Sequence, residues 1–238
     1  MVDFQLTDEQ LLMQKTAHEF AEKEMRPVAQ EYDRKAAFPW EVVQKAHDIG
    51  MDTAFLPAEY GGGGVTSTLT HCIVNEELNW GCAGIATCLI GAGLAYLPII
   101  HMGTPDQKER FLRRFCGPEA KLGALALTEP DAGSDVAAIS TRAVKDGKEW
   151  VLNGVKRFIT NGGIAELTVA FATIDPSLRH FGIRAFVVEK DNPGLKQSKV
   201  EDKMGVRASH TAELVLEDCR VPDGDMLGEP DSPAFAGA

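Results

Sequence analysis

The spacing of apolar residues along this chain changes once, near Lys121, and that switch limits the fold more than any other feature. Before it, Met13, Ala17, Phe20, Ala21 and Val28 recur at intervals that place them on one helix face. Thr7 followed by Gln10 has the form of a capping box, with Asp8 and Glu9 where the helix dipole favours negative charge. Pro27 is expected to kink or end this helix, because it has no N–H and crowds the preceding turn. A second helix is expected after Pro39, stopping at Gly50. Further helices are expected within 67–79, 84–96 and 105–115, with Pro105 in the first turn of the last.

After Lys121 the signals are those of strands. Apolar runs at 122–128, 167–174, 183–189 and 212–218 are separated by turn residues. Asp146-Gly147 and Asn153-Gly154 both read as two-residue hairpin turns. Helices first and strands second predict an α+β chain. An N-terminal all-α helical domain at 1–121 is followed by a middle β-barrel or sandwich-like domain at 122–232.

Composition narrows the possible partners. The 238 residues are 44% hydrophobic and 25% charged, which suits a globular protein, and the net charge of -11 argues against nucleic acid. The five cysteines include no C-x-x-C pair, so they read as buried free thiols rather than a disulfide framework. Six dispersed histidines offer little to a metal ion. The N-terminus MVDFQLTDEQ shows neither a basic nor an apolar leader, and a cytoplasmic location is expected. Residues 81–100 are long and uncharged enough to span a bilayer, but the glycines and Pro98 within them favour a buried helix and no membrane.

Three segments could carry chemistry. Tyr60 and the four glycines after it lack the Gly-Lys-Ser/Thr of a phosphate loop, and read as a flexible connector. No G-x-G-x-x-G follows a strand, so a nicotinamide fold has no support. In ALTEPDAGSD (126–135) a strand ends at Thr128 and a polar turn built on Pro130, Gly133 and Ser134 follows. Such a turn offers hydroxyls and backbone N–H groups to a planar heterocycle or a phosphate, and is equally a good plain loop. In KRFITNGG (156–163), strand alternation puts Phe158 and Thr160 on one face, where they could stack on and bond to a flat ligand, or pack a core.

The run ALTEPDAGSDVAA with FITNGG one hairpin later resembles the acyl-CoA dehydrogenase family, closest to its short- and medium-chain members. PAEYGGGG (57–64), PIIHMGTPDQKERFL (98–112) and KMGVRASHTAELVLEDCRVP (203–222) match in the family's order, so the likeness covers nearly the whole chain. It implies FAD as cofactor, an acyl-CoA substrate oxidised to the trans-2-enoyl-CoA, and electrons passed to an electron-transfer flavoprotein, within a homo- or hetero-oligomer, usually a tetramer. By the same likeness Leu125, Leu127, Thr128, Gly133 and Ser134 line the flavin. Ser134 also nears bound acyl-CoA. Phe158, Ile159 and Thr160 cover the ring's far face, with Phe158 where many members have Trp. Ile90 lies where the fatty tail ends. Residues 233–238 would begin the family's C-terminal helical domain, which supplies the catalytic base, so the base is expected from a segment absent from this sequence. The alternative is a non-catalytic subunit that binds acyl-CoA or flavin.

Overall fold

Thr7 caps the first helix as its sequence requires: its hydroxyl accepts from Gln10 N–H, and Gln10 returns the bond through its side chain. The computed structural model describes residues 5–91 and 93–229. Helix α1 (Asp8–Phe20) passes into a π-helical turn, Ala21–Met25, and then into α2 (Arg26–Lys35). Pro27 therefore does not end the helix. It sits in the first turn of α2, where its missing N–H costs little, and the widened turn before it accommodates the ring. α3 (Trp40–Asp48) follows, and Gly50 stands just past it with φ of 70° as expected. The glycine run at 61–64 is not a loose connector. Its N–H groups bond back onto Thr53, Leu56 and Pro57, which folds it tightly against the preceding segment.

α4 (Thr68–Gly91) is broken at Cys82, which is extended with φ of -168°, and so behaves as two helices. α5 (Gly93–Met102) and α6 (Pro105–Leu112) follow, the latter opened by a second capping box between Thr104 and Gln107. The most apolar 18-residue window within Thr68–Met102 has a mean hydropathy of 1.9, and 59% of it is buried. All five cysteines are free thiols; Cys88 and Cys219 are buried as expected, whereas Cys72 is exposed and the other two are half-buried.

Among the described residues, seven strands form one curled, mixed sheet: β1 (Gly123–Ala126), β2 (Arg142–Asp146), β3 (Glu149–Thr160), β4 (Leu167–Thr173), β5 (Ile183–Glu189), β6 (Leu195–Val200) and β7 (Thr211–Pro222). The order is β1-β4-β2-β3-β7-β6, with β5 on the other side of β4. β4, buried at every residue, runs parallel to β1 and touches β2 only through Arg142 and Thr173. The α+β expectation holds, with helices preceding the sheet. Lys-rich β6 was not evident in the sequence, because an exposed edge strand carries little apolar alternation.

Two turn signals fare differently. At the first, Asp146 pairs with Glu149, so Gly147 and Lys148 form the tip of the hairpin, and Gly147 takes the φ of 62° it needs. At the second, Asn153-Gly154, there is no turn: β3 runs straight through. The local irregularity is a bulge in the partner strand β7 at Asp218, whose N–H donates to Asn153 Oδ1 at 2.9 Å. Glycine is required at 154 for a different reason. A Cβ there would lie 2.4 Å from Thr141 Oγ1 and 2.7 Å from Thr141 Cα.

The chain forms two compact units that exchange segments. The first takes the chain up to Ile90 together with Pro118–Ala120 and Lys203–Ser209; the second takes Gly91–Gly117, Lys121–Asp202 and the chain from His210. In the second, α5 packs on β1 and β4, and Tyr96, Ile99, Phe111, Leu112 and Phe115 are buried with the inner face of the sheet.

Candidate functional site

Where β1 ends, the chain makes a tight turn: Glu129 and Ala132 exchange backbone hydrogen bonds across Pro130 and Asp131. Gly133 and Ser134 follow, exposed. Their N–H groups, and the hydroxyls of Thr128 and Ser134, have no hydrogen-bond partner among the described residues. A short stretch of chain thus presents several unspent donors at the rim of the sheet.

Beside this turn lies the second predicted segment. Between Lys156 and Ile159, β3 carries one residue more than β7 opposite it, and Phe158 occupies the bulge with φ of 57°. The left-handed conformation costs an L-residue about 1–2 kcal/mol. The bulge also interrupts the alternation that the sequence predicted between Phe158 and Thr160. Phe158 is 60% exposed and Thr160 half-buried, whereas Ile159 is 2% exposed with its side chain in the interior. From Ile159 only the backbone can reach a ligand. Gly91 approaches Thr160 closely, since a Cβ there would come within 3.2 Å of its methyl. Asn161, fully buried, donates to Gly123 O at 3.1 Å and ties this end of β3 to the start of β1.

The two segments are joined at the backbone. Arg157 N–H donates to Thr128 O at 2.8 Å. One residue earlier, Lys156 Nζ donates to Leu127 O at 3.1 Å and to Glu129 Oε1 at 2.7 Å. The Lys156 and Glu129 side chains are 0% and 2% exposed. Glu129 also accepts from Ser140 N, Ser140 Oγ and Thr141 N. Burial pushes the Glu129 carboxyl up, but Lys156 and these donors outweigh it and hold the group at about 2. Burial pushes the Lys156 ammonium down to about 8, against the pull of Glu129. Sequence reasoning missed the burial of this lysine, because a lysine in a strand ordinarily reads as solvated.

Leu125, half-buried on β1, belongs to an open apolar groove of about 280 Å³ with Leu94, Leu97, Pro98, His101 and Met102 of α5 and Phe171 of β4. The structure therefore brings Leu125, Leu127, Thr128, Gly133, Ser134, Phe158 and Thr160 into one compact unit. Ile90, half-buried in the last turn of α4, belongs to the helical unit.

Comparison with known proteins decides what this arrangement belongs to. Residues 7–119 match the family model "Acyl-CoA dehydrogenase, N-terminal domain", and residues 124–219 match "Acyl-CoA dehydrogenase, middle domain". The chain belongs to the acyl-CoA dehydrogenase family. It is 45% identical over 223 residues to cyclohex-1-ene-1-carbonyl-CoA dehydrogenase of Geobacter metallireducens, covering 94% of this chain and 58% of that one. It is 44% identical to the NADH-dependent acryloyl-CoA reductase of Anaerotignum propionicum, covering 96% and 58%. The solved butyryl-CoA dehydrogenase of Megasphaera elsdenii superposes with a TM-score of 0.89 at 41% identity, covering 96% of this chain and 60% of that one. The chain thus spans about 58% of the length of the curated acyl-CoA dehydrogenase relatives.

Proposed function

We propose that this chain holds FAD on the Leu125–Ser134 turn and the Phe158 bulge, and serves the α,β-dehydrogenation of an acyl-CoA thioester to the trans-2-enoyl-CoA. The observation that carries the reading is Phe158: an aromatic ring 60% exposed, held at φ of 57°, beside hydroxyls and N–H groups without partners among the described residues. Strain of this kind persists where surrounding structure enforces it, and a flat ring receiving the face of Phe158 accounts for it.

The residues fit such a group. Thr128 supplies a hydroxyl to the polar edge of the ring. Gly133 and Ser134 offer two adjacent N–H groups and a hydroxyl to a phosphate, the neutral donor set an anion needs in a protein of net charge -11. FAD bound there would supply the acceptor for the hydride equivalent that leaves the β-carbon of the thioester. The apolar groove at Leu125 suits the acyl chain of the substrate, because it begins where the flavin-lining segment begins. Glu129 cannot be the base that takes the α-proton: it is buried, held near pKa 2, and its oxygens already accept four hydrogen bonds. By family likeness the base is assigned to a carboxylate outside the described residues, and the electrons pass to an electron-transfer flavoprotein.

The test is a titration of flavin-free protein with FAD, followed by anaerobic addition of butyryl-CoA to the loaded protein. Uptake of FAD weakened about tenfold or more by Phe158→Ala with Thr128→Val is expected from the loss of stacking and a hydrogen bond. Perturbation of the flavin spectrum by butyryl-CoA is expected as well. A protein that takes up no FAD, or variants that bind it as the parent does, would refute the assignment.

A further inference from the structure

The pair Lys156–Glu129 is an expensive object. Each charge removed from water costs several kcal/mol even after relaxation, and well-packed apolar residues in place of a buried pair often leave a protein as stable or more so. Its presence at full burial therefore calls for an account other than stability. The geometry supplies one. Lys156 divides its hydrogens between a carboxylate and a main-chain carbonyl: Glu129 Oε1 at 2.7 Å and Leu127 O at 3.1 Å. The next residue, Arg157, holds the next carbonyl, Thr128 O, at 2.8 Å. The residue after that is Phe158, in the bulge. Two consecutive carbonyls of the turn are thus gripped by two consecutive residues of β3, and the grip ends at the strained ring. Glu129 completes the frame from the other side, because its carboxylate also fixes the N–H groups of Ser140 and Thr141, which close the far end of the segment.

We propose that Glu129 and Lys156 form a positioning pair, which locks the Leu127–Thr128 peptide to the Phe158 bulge so that turn and ring present one rigid surface. The inference rests on the reading of that surface as the flavin site. Neither side chain touches the flavin in this account. They act through the orientation of the Leu127–Thr128 peptide, the Thr128 hydroxyl and the Phe158 ring. A clamp made from an ion pair has a property an apolar contact lacks: its hydrogen bonds are directional, so it specifies one orientation of the peptide.

The experiment uses the double variant Glu129→Gln/Lys156→Met, which removes both charges at similar volume. Three readouts are taken on parent and variant: urea midpoint, amide hydrogen exchange at Arg157, and FAD titration with the visible spectrum of the bound flavin. The expected result is a midpoint close to the parent's, exchange at Arg157 faster by about 10- to 100-fold, FAD affinity lower by the same order, and shifted flavin bands. That range corresponds to loss of a hydrogen bond to a charged group. A merely structural pair would move the midpoint and leave the spectrum of bound flavin unchanged. A folded variant with parental exchange at Arg157 and parental FAD affinity overturns the proposal. Should the double variant not fold, Glu129→Gln alone, which keeps an acceptor for Ser140 and Thr141, gives the exchange and FAD readouts, with a lower midpoint expected because Lys156 is left buried without its partner. A parent that takes up no FAD while the exchange at Arg157 responds as expected refutes the flavin reading and leaves the clamp standing.

Discussion

Replacing Gly154 by Ala tests whether β3 runs through this position as a strand pressed against Thr141. The added methyl would lie 2.4 Å from Thr141 Oγ1 and 2.7 Å from both Cα and Cβ of Thr141. Overpacking of a filled interior costs about 1–3 kcal/mol. The upper part of that range applies, since one of the three atoms is backbone and the Thr141 N–H is committed to Glu129 at 3.0 Å. Against this, exchanging glycine for alanine reduces the freedom of the unfolded chain and returns about 0.4–1 kcal/mol. The net expectation is a loss of about 2 kcal/mol, roughly a 30-fold shift toward the unfolded state. Gly117→Ala is the matched control in the same unit: its φ is -74° and a Cβ would meet nothing within 4 Å. Urea unfolding followed by tryptophan fluorescence, to which Trp150 in β3 contributes, compares the midpoints. If Gly154 stood in a solvent-facing hairpin turn, as its sequence suggested, Gly154→Ala would carry no packing penalty. A midpoint equal to or above that of Gly117→Ala would refute the close approach.

The remaining expectations concern the site. Gly133→Ala adds a methyl that meets nothing within 4 Å, so thermal stability should stay within about 0.5 kcal/mol while FAD affinity falls; parental affinity in a titration would show that the backbone there contacts no ligand. Phe158→Asn relieves the left-handed φ of 57°, since Asn tolerates that region, and should leave stability unchanged or raise it by up to about 1 kcal/mol; a clear loss in a denaturation curve would count against strain at the bulge. Glu129 has its native pKa held at about 2, below the ordinary 4.5, so the unfolded state binds the proton first as pH falls. The stability it contributes is present above about 4.5 and is lost toward 2, roughly 3 kcal/mol in all, and Glu129→Gln should erase that acid limb. Lys156, lowered from 10.5 to about 8, works in the opposite range: the unfolded state holds the extra proton between those values, so its contribution rises with pH there, and Lys156→Met should flatten the rise.

Much of the helical half was legible because its signals are local. Thr7 with Gln10 and the glycine after α3 each fix a helix end through groups a few residues apart. The misreadings share a cause: a non-local partner overrode a local preference. Asn153-Gly154 has the composition of a turn, yet its glycine answers Thr141 and its asparagine answers the bulge at Asp218. Pro27 is a separate, local case: it does not end the helix, because a π-helical turn just before it absorbs the ring. At the site, the two motif segments lie in one unit. What holds them was hidden, because a lysine in a strand gives no sign that it lies at 0% exposure against a glutamate 27 residues away.

The exchange of segments between the two units bears on the order in which the protein can be made. Cys88 Sγ donates to Ala208 O at 3.4 Å, and Arg207 N–H donates to Asp33 Oδ1 at 3.0 Å, a loop of 174 residues in sequence. Ribosomes deliver roughly 5–20 residues per second, and units closed by distant segments must wait for them. The helical unit, though encoded first, lacks these closing contacts until the chain past β6 has emerged. Both units gain their last contacts within the same short stretch of translation.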